Sequence, residues 1–285
     1  MADSRTLTRN QPFHHNVQNS IANLIGMIIL LSPSKTLDFE SDHNIPFGSY
    51  PIFIKESEKL IKILRKLRVQ DIASLMKISY KLASINVDRY HEWKFPYEEK
   101  KSKPAVAAFK GDVYQGLKVW ELNTQQLLKV DDTVRIISGL YGILNPSDQI
   151  LPYRLEMGIQ LKGNNFNNLY EFWGEKLTKH LRKDLKEKGK KILVNLASAE
   201  YFKAIDINNL KVETITPFFQ ELSNGTYKFI SVNGKKARGL MVRYIIDNEI
   251  DDFNDLKGFN YEGYSFNSQK SDKKRWVFTR EHFEY

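Results

Sequence analysis

Met27-Ile-Ile-Leu-Leu-Ser-Pro-Ser-Lys-Thr-Leu-Asp38 is the stretch on which the fold turns. Five apolar residues without a polar interruption read as a strand buried on both faces. Ser32-Pro33 ends the run, and the hydroxyls and Lys35 that follow lie beyond a strand's C-terminal end, where ligand sites open in parallel and mixed sheets. Further strand candidates are residues 105–109, 134–138, 192–196, 213–218, 227–232, 261–266 and 276–279. Asn224-Gly225 and Asn233-Gly234 carry hairpin-turn chemistry, which predicts antiparallel pairs in the C-terminal half and disfavours a purely parallel doubly wound sheet. The expected class is α+β, one large mixed sheet surrounded by helices.

Helices fill the intervals. Leu60, Ile63, Leu64 and Leu67 repeat at helical spacing, with Lys59, Lys62, Lys66 and Arg68 elsewhere on the same helix. A second basic run, 179–191, ends a helix closed by Gly189. Cations near a helix C-terminus are favoured by its dipole, so both runs read first as solvated faces. At the N-terminus, Arg5, Arg9 and the apolar stretch 21–31 imitate a signal peptide, but Asn23 and Gly26 interrupt the stretch and no small-x-small cleavage site follows. No apolar run approaches the ~20 residues of a membrane span. Met27 can serve as the natural start, leaving 1–26 as a disordered or non-native extension and 27–285 as one domain.

Cysteine is absent, which excludes a disulfide framework, Cys-ligated zinc, iron–sulfur clusters and thiol nucleophiles. The six histidines (14, 15, 43, 91, 180 and 282) show no metal-ligand spacing, so neither a metal nor a cofactor is expected. A formal charge of +9 favours an anionic partner, nucleic acid first.

Chemistry-bearing residues gather at strand ends. Ser32 and Lys35 match S-x-x-K, while the same loop of hydroxyls, N–H groups and one lysine is equally a phosphate cradle, with Ser32-Pro33 also readable as a helix N-cap and first position. Residues 107–118 (AAFKGDVYQGLK) miss the P-loop pattern but bring Lys110, Asp112 and Tyr114 within five residues, a trio for acid–base work or phosphate binding, or a surface pair beside a buried tyrosine. Gly139 and Gly142 flank Leu140-Tyr141 in what reads as a tight hairpin whose N–H groups could face a phosphate, or as an ordinary turn; Tyr153, Arg154 and Glu156 follow. Residues 195–203 add Glu200 and Lys203. On a helix over 235–244, Lys235 or Lys236, Gly239 and Arg243 share a face, either a polyanion contact with a glycine permitting close approach or a solvated basic face.

SPSKTLD (32–38), AFKGDVYQGL (108–117), SGLYGILNPSD with PYRLEMG (138–158), LYEFWG (169–174), NLASAEYFK (195–203), KKARGLMVRYII (235–246) and GFNYEGYSF (258–266) together resemble the bacterial YaaA family of peroxide stress proteins, in order and from Met27 to near the C-terminus. The resemblance implies a cytosolic protein of the oxidative stress response. It further implies limitation of damage linked to free iron, and binding of double-stranded DNA, bulged or distorted forms included, through a helix-hairpin-helix-like element and a positive cleft on one mixed fold. The chain departs from the family in having Ser34 for alanine and Asn145 for arginine. Two hypotheses remain. In a non-enzymatic DNA-binding factor, Ser32, Lys35, Lys110, Arg154, Lys203, Lys236, Arg238 and Arg243 line a groove, with Gly139, Tyr141 and Gly142 at the DNA backbone. In an enzyme for a phosphorylated or nucleoside-like small molecule, Lys35 or Lys110 is base or anion anchor, Asp112, Glu156 or Glu200 the acid–base group, and Tyr114 or Tyr153 the proton donor. No membrane or protein partner is expected.

Overall fold

A computed structural model describes residues 26–41, 45 and 48–281; expectations resting on Arg5, Arg9, His14, His15, His43 or His282 lie outside them. The strands are β1 (Met27–Leu31), β2 (Lys103–Pro104), β3 (Val134–Ser138), β4 (Gly142–Leu144), β5 (Gln149–Ile150), β6 (Ile192–Asn195), β7 (Glu213–Ser223), β8 (Thr226–Lys228), β9 (Ser265–Phe266) and β10 (Arg275–Glu281). Eight of them form one sheet in the order β4-β3-β1-β6-β7-β10-β9, with β8 on β7, while β2 and β5 make a separate pair. β3, β1, β6, β7 and β10 run parallel, and β4, β8 and β9 are antiparallel additions.

The architecture is therefore mixed α/β, with a parallel centre and antiparallel margins. β1 lies within that parallel region between β3 and β6, and every residue of its apolar run is fully buried. Burying each such side chain contributes roughly 1.5–3 kcal/mol. β7 acts as a spine: residues 213–215 pair with β6, and 216–222 pair with β10.

Helices α1 (Ile54–Leu64), α2 (Val69–Met76) and α3 (Tyr80–Glu92) precede the one-turn α4 (Ala105–Ala108), α5 (Asp112–Leu117) and α6 (Thr124–Thr133). Then come α7 (Leu169–Trp173), α8 (Lys176–Glu187), α9 (Ala199–Phe202), α10 (Ile207–Leu210) and the long α11 (Ser231–Asp247). α5 and α11 meet backbone to backbone. A Cβ on Gly239 would lie 1.8 Å from the Val113 carbonyl oxygen, and one on Gly116 would lie 2.2 Å from that of Lys236. The described methionines, Met27, Met76, Met157 and Met241, all sit in the core, none more than 5% exposed.

Several sequence expectations change. Residues 105–109 are a helical turn rather than a strand: a short buried apolar run has no period of its own, and Ala-Val-Ala-Ala favours helix. Residues 227–232 are strand only at their start, because Ser231 opens α11, and Asn233-Gly234 falls inside that helix instead of forming a hairpin. Asn224-Gly225 does turn the chain, with φ of 50° and 74° joining β7 to β8. Residues 261–266 are a 3-10 turn followed by the two residues of β9. Ser32-Pro33 starts no helix, and the segment continues as a loop.

The Gly139–Gly142 turn joins two strands, β3 and β4, not two helices. It is buried throughout. The Trp173 indole N–H donates to the Gly139 carbonyl at 3.0 Å, and the Tyr141 hydroxyl accepts the Trp93 indole N–H at 2.9 Å and the Leu151 N–H at 3.1 Å. The turn's N–H groups do not reach the surface, so no helix-hairpin-helix presentation to a phosphate occurs there.

Candidate functional site

In a sheet with parallel strands, a crevice opens where neighbouring strands send their connections to opposite sides. β1 leads towards β3 and β6 leads towards β7, so the chain diverges between the C-terminal ends of β1 and β6. Ser32 and Ser198 stand at those two ends. The Ser198 N–H donates to the Ser32 Oγ at 2.8 Å, tying the loops together across the crevice. Beneath them, the Tyr114 hydroxyl donates to the Ser32 carbonyl at 2.9 Å.

A shallow pocket of about 10 Å³, room for one water-sized group, is lined by Pro33, Ser34, Lys35, Tyr153, Arg154, Leu155, Glu156 and Tyr201. The same loops also bound a groove of about 370 Å³, lined by Leu37, Asp38, Phe39, Glu40, Ser41, Arg89, Lys110 and Pro152. The loop after β1 is held there by backbone bonds from the Asp38 N–H to the Ala108 carbonyl (2.8 Å) and from the Lys110 N–H to the Thr36 carbonyl (2.9 Å). These bonds bring Lys110 alongside Asp38, although 72 residues separate them.

Each carboxylate with a buried side chain in this region is neutralised from within. Glu156 receives the Arg154 guanidinium at 2.7 Å and lies 3.5 Å from the Lys35 ammonium. Asp38 accepts from the Ser41 N–H (2.9 Å), the Lys110 ammonium (3.0 Å) and the Ser41 hydroxyl (2.8 Å), which together hold its carboxyl far below the usual range. The buried Lys103 approaches Asp38 at 3.9 Å and donates to the Ser41 carbonyl.

The cations keep reach towards solvent. Side chains of Lys35 and Lys110 remain 67% and 53% exposed. Arg89, on α3, is half-buried in the groove wall with no carboxylate partner among the described residues; its one side-chain bond goes to the Asn86 carboxamide oxygen at 3.4 Å, and desolvation lowers its pKa. Under the pocket, burial pushes up the phenols of Tyr114, Tyr153 and Tyr201, so all three stay protonated near neutral pH. Tyr153 shares a 2.7 Å bond with the Ser138 hydroxyl.

Of the residues expected at the site, Lys35, Tyr153, Arg154 and Glu156 line the pocket and Lys110 lines the groove, with Tyr114 bonded to Ser32 at the end of β1. Others stand elsewhere. Asp112 opens α5 outside the lining of either cavity. The Glu200 carboxylate accepts the Gly158 N–H at 2.8 Å, and Lys203 lies 4.9 Å over the Tyr170 ring. Lys236 pairs with Glu262, Arg243 with Asp247 (2.8 Å) and Glu121 (3.3 Å), and Arg238 lies 5.9 Å from the Phe229 ring. Gly239 admits α5 rather than a polyanion. Gly139, Tyr141 and Gly142 are interior.

Sequence reasoning misses Arg89, Lys103 and Tyr201. A lone arginine on a helix carries no local signal, and only the tertiary fold brings α3 to the β1 loop. The described residues hold no group of three or more His, Asp or Glu side chains placed to bind a metal ion. No described helix is long and apolar enough to cross a membrane.

The family model for the peroxide stress protein YaaA matches residues 27–270. This chain belongs to the YaaA family. It is 46% identical over 254 residues to a UPF0246 protein of Idiomarina loihiensis, covering 89% of this chain and 98% of that one. A UPF0246 protein of Aliivibrio fischeri (strain ES114) is 45% identical over 255 residues, covering 90% and 98%. A third, from Hahella chejuensis, is 42% identical over 256 residues, covering 90% and 100%. Membership of the YaaA family supports a role in peroxide stress. The match begins at Met27, the first residue of β1.

Proposed function

We propose that this chain serves the peroxide stress response by holding the phosphate backbone of double-stranded DNA, bulged or distorted duplex included, along the groove lined by Lys110 and Arg89, and so limits damage linked to free intracellular iron. The carrying observation is Arg89: a half-buried guanidinium without a carboxylate partner among the described residues, lining the same groove as the exposed Lys110, with the exposed Lys35 on the loop whose residues 37–41 form its wall. A desolvated, uncompensated guanidinium is stabilised by an arriving anion, and phosphates contacted by Lys and Arg supply affinity without reading sequence. Of the two carboxylates that line the groove, Asp38 is neutralised by Lys110, while the exposed Glu40 can turn into solvent.

The test is a fluorescence-anisotropy titration of labelled plain and bulged duplexes at several salt concentrations. Arg89→Ala and Lys110→Ala are each expected to weaken both duplexes and flatten the salt slope by about 0.9 for every phosphate no longer neutralised. Unchanged affinity in both variants overturns the reading.

A second reading rests on a different observation. Glu156 Oε2 and Arg154 Nε are both buried and lack hydrogen-bond partners, although they line the pocket where the strands diverge. An enzyme for a phosphorylated or nucleoside-like small molecule would use that acceptor and donor, with Lys35 beside them. Saturable binding of a mononucleotide that Glu156→Gln abolishes, while duplex affinity stays put, would favour it.

A further inference from the structure

Away from the groove, the far end of the sheet carries rings and cations that neither reading uses. Along β7, Ile215, Pro217, Phe219 and Glu221 point inward and are buried, whereas Phe218, Gln220 and Leu222 alternate to the outer face, where Phe218 is 38% exposed. Register fixes what joins them. Tyr227 on β8 stands opposite Leu222, and Arg275 on β10 stands opposite Thr216, so both share that face. The Arg275 guanidinium lies 4.6 Å from the centre of the Phe218 ring, and the Lys270 ammonium lies 5.5 Å from that of Tyr227.

Lys270, Lys273, Lys274 and Arg275 are all exposed, and none is within ion-pair distance of a carboxylate among the described residues. The neighbouring Asp272 accepts the backbone N–H groups of Lys274 and Arg275, each at 2.8 Å, and its charge offsets theirs only in part, since one carboxylate stands among four cations and none of them pairs with it. Elsewhere in the C-terminal half, Lys236, Arg243 and Arg280 are paired. The unpaired strip thus lies beside the aromatic face.

We propose that this outer face of β7, β8 and β10, with Phe218 and Tyr227 as stacking rings and Lys270, Lys273, Lys274 and Arg275 around them, binds single-stranded nucleic acid. Phosphates meet the unpaired cations, and unstacked bases meet the rings. A duplex keeps its base faces covered and cannot use rings in this way. Four residues of strand set Phe218 and the Tyr227 position ~13 Å apart, a span that a flexible single strand can follow.

The experiment uses the whole chain and labelled dT20 in anisotropy titrations at two salt concentrations, with rU20, a plain duplex and phosphatidylserine vesicles alongside. Phe218→Ala/Tyr227→Ala is expected to weaken dT20 by roughly tenfold or more, with duplex affinity unchanged. Lys274→Ala/Arg275→Ala, wholly at the surface, should flatten the dT20 salt slope by about 0.7 for every phosphate set free. Lys35→Ala/Lys110→Ala should spare dT20, which separates this face from the groove. Tighter binding of either dT20 or rU20 keeps the proposal and names the sugar preferred. Wild-type affinity for dT20 in the ring variant, equal loss of duplex and dT20, or binding to vesicles without binding to dT20 overturns it.

Discussion

Burial drives the Asp148 carboxyl up to about 6, against the hydrogen bonds that Ser49 and the Asn145 N–H donate to it. Because the folded value lies above the unfolded value of about 3.9, the native state binds more protons between roughly pH 4 and 6. That contribution is present below the window and is lost as pH rises through it. Asp148→Asn keeps an acceptor for the Asn145 N–H but has no proton to lose. The difference in urea-unfolding free energy between variant and wild type should therefore change by on the order of 2 kcal/mol between pH 4 and 7, in the variant's favour. A pH-independent difference would contradict the account. Tyr114 is a second test at this scale: Tyr114→Phe leaves the Ser32 carbonyl without its donor and should cost about 1–2 kcal/mol in the same measurement.

Among the elements, α5 and α11 depend on two glycines. Gly239→Ala must displace the Val113 carbonyl or separate the helices, so it is expected to lower stability by about 1–3 kcal/mol, read as a fall of several degrees in Tm. This glycine stands in plain view in the chain but its purpose does not, since a Gly between Lys236 and Arg243 looks the same whether a phosphate or a helix approaches. β1 is readable because five apolar residues admit few other fates, and Asn224-Gly225 because its turn demands positive φ at both positions. Residues 105–109 mislead because burial on all sides erases periodicity. Lys35, Arg154 and Glu156 are legible as strand-end residues, whereas Arg89 is not. Its role comes from a contact that only the assembled chain makes.

For the whole molecule, the sheet ranks its own parts. β1 is paired on both sides and covered on both faces, while β8 and β9 are short and marginal. Amide hydrogen exchange should find residues 28–31 exchanging only through global unfolding, and residues 226–228 and 265–266 opening at much lower free energy. Equal protection at centre and margin would show that the spine strand β7 couples them more tightly than this order of pairing implies.

Oxidant chemistry gives the buried methionines another meaning. A chain without cysteine has thioethers as its remaining sulfur, and conversion of one to its sulfoxide would put a polar group into the core. Met27, Met76, Met157 and Met241 are all shielded in the folded state. Peroxide that reaches this protein meets no accessible sulfur among its described residues, so the molecule can persist through the exposure to which its family responds. Peptide mass spectrometry after hydrogen peroxide treatment should show these four positions unmodified in the folded protein and oxidised in the urea-unfolded one.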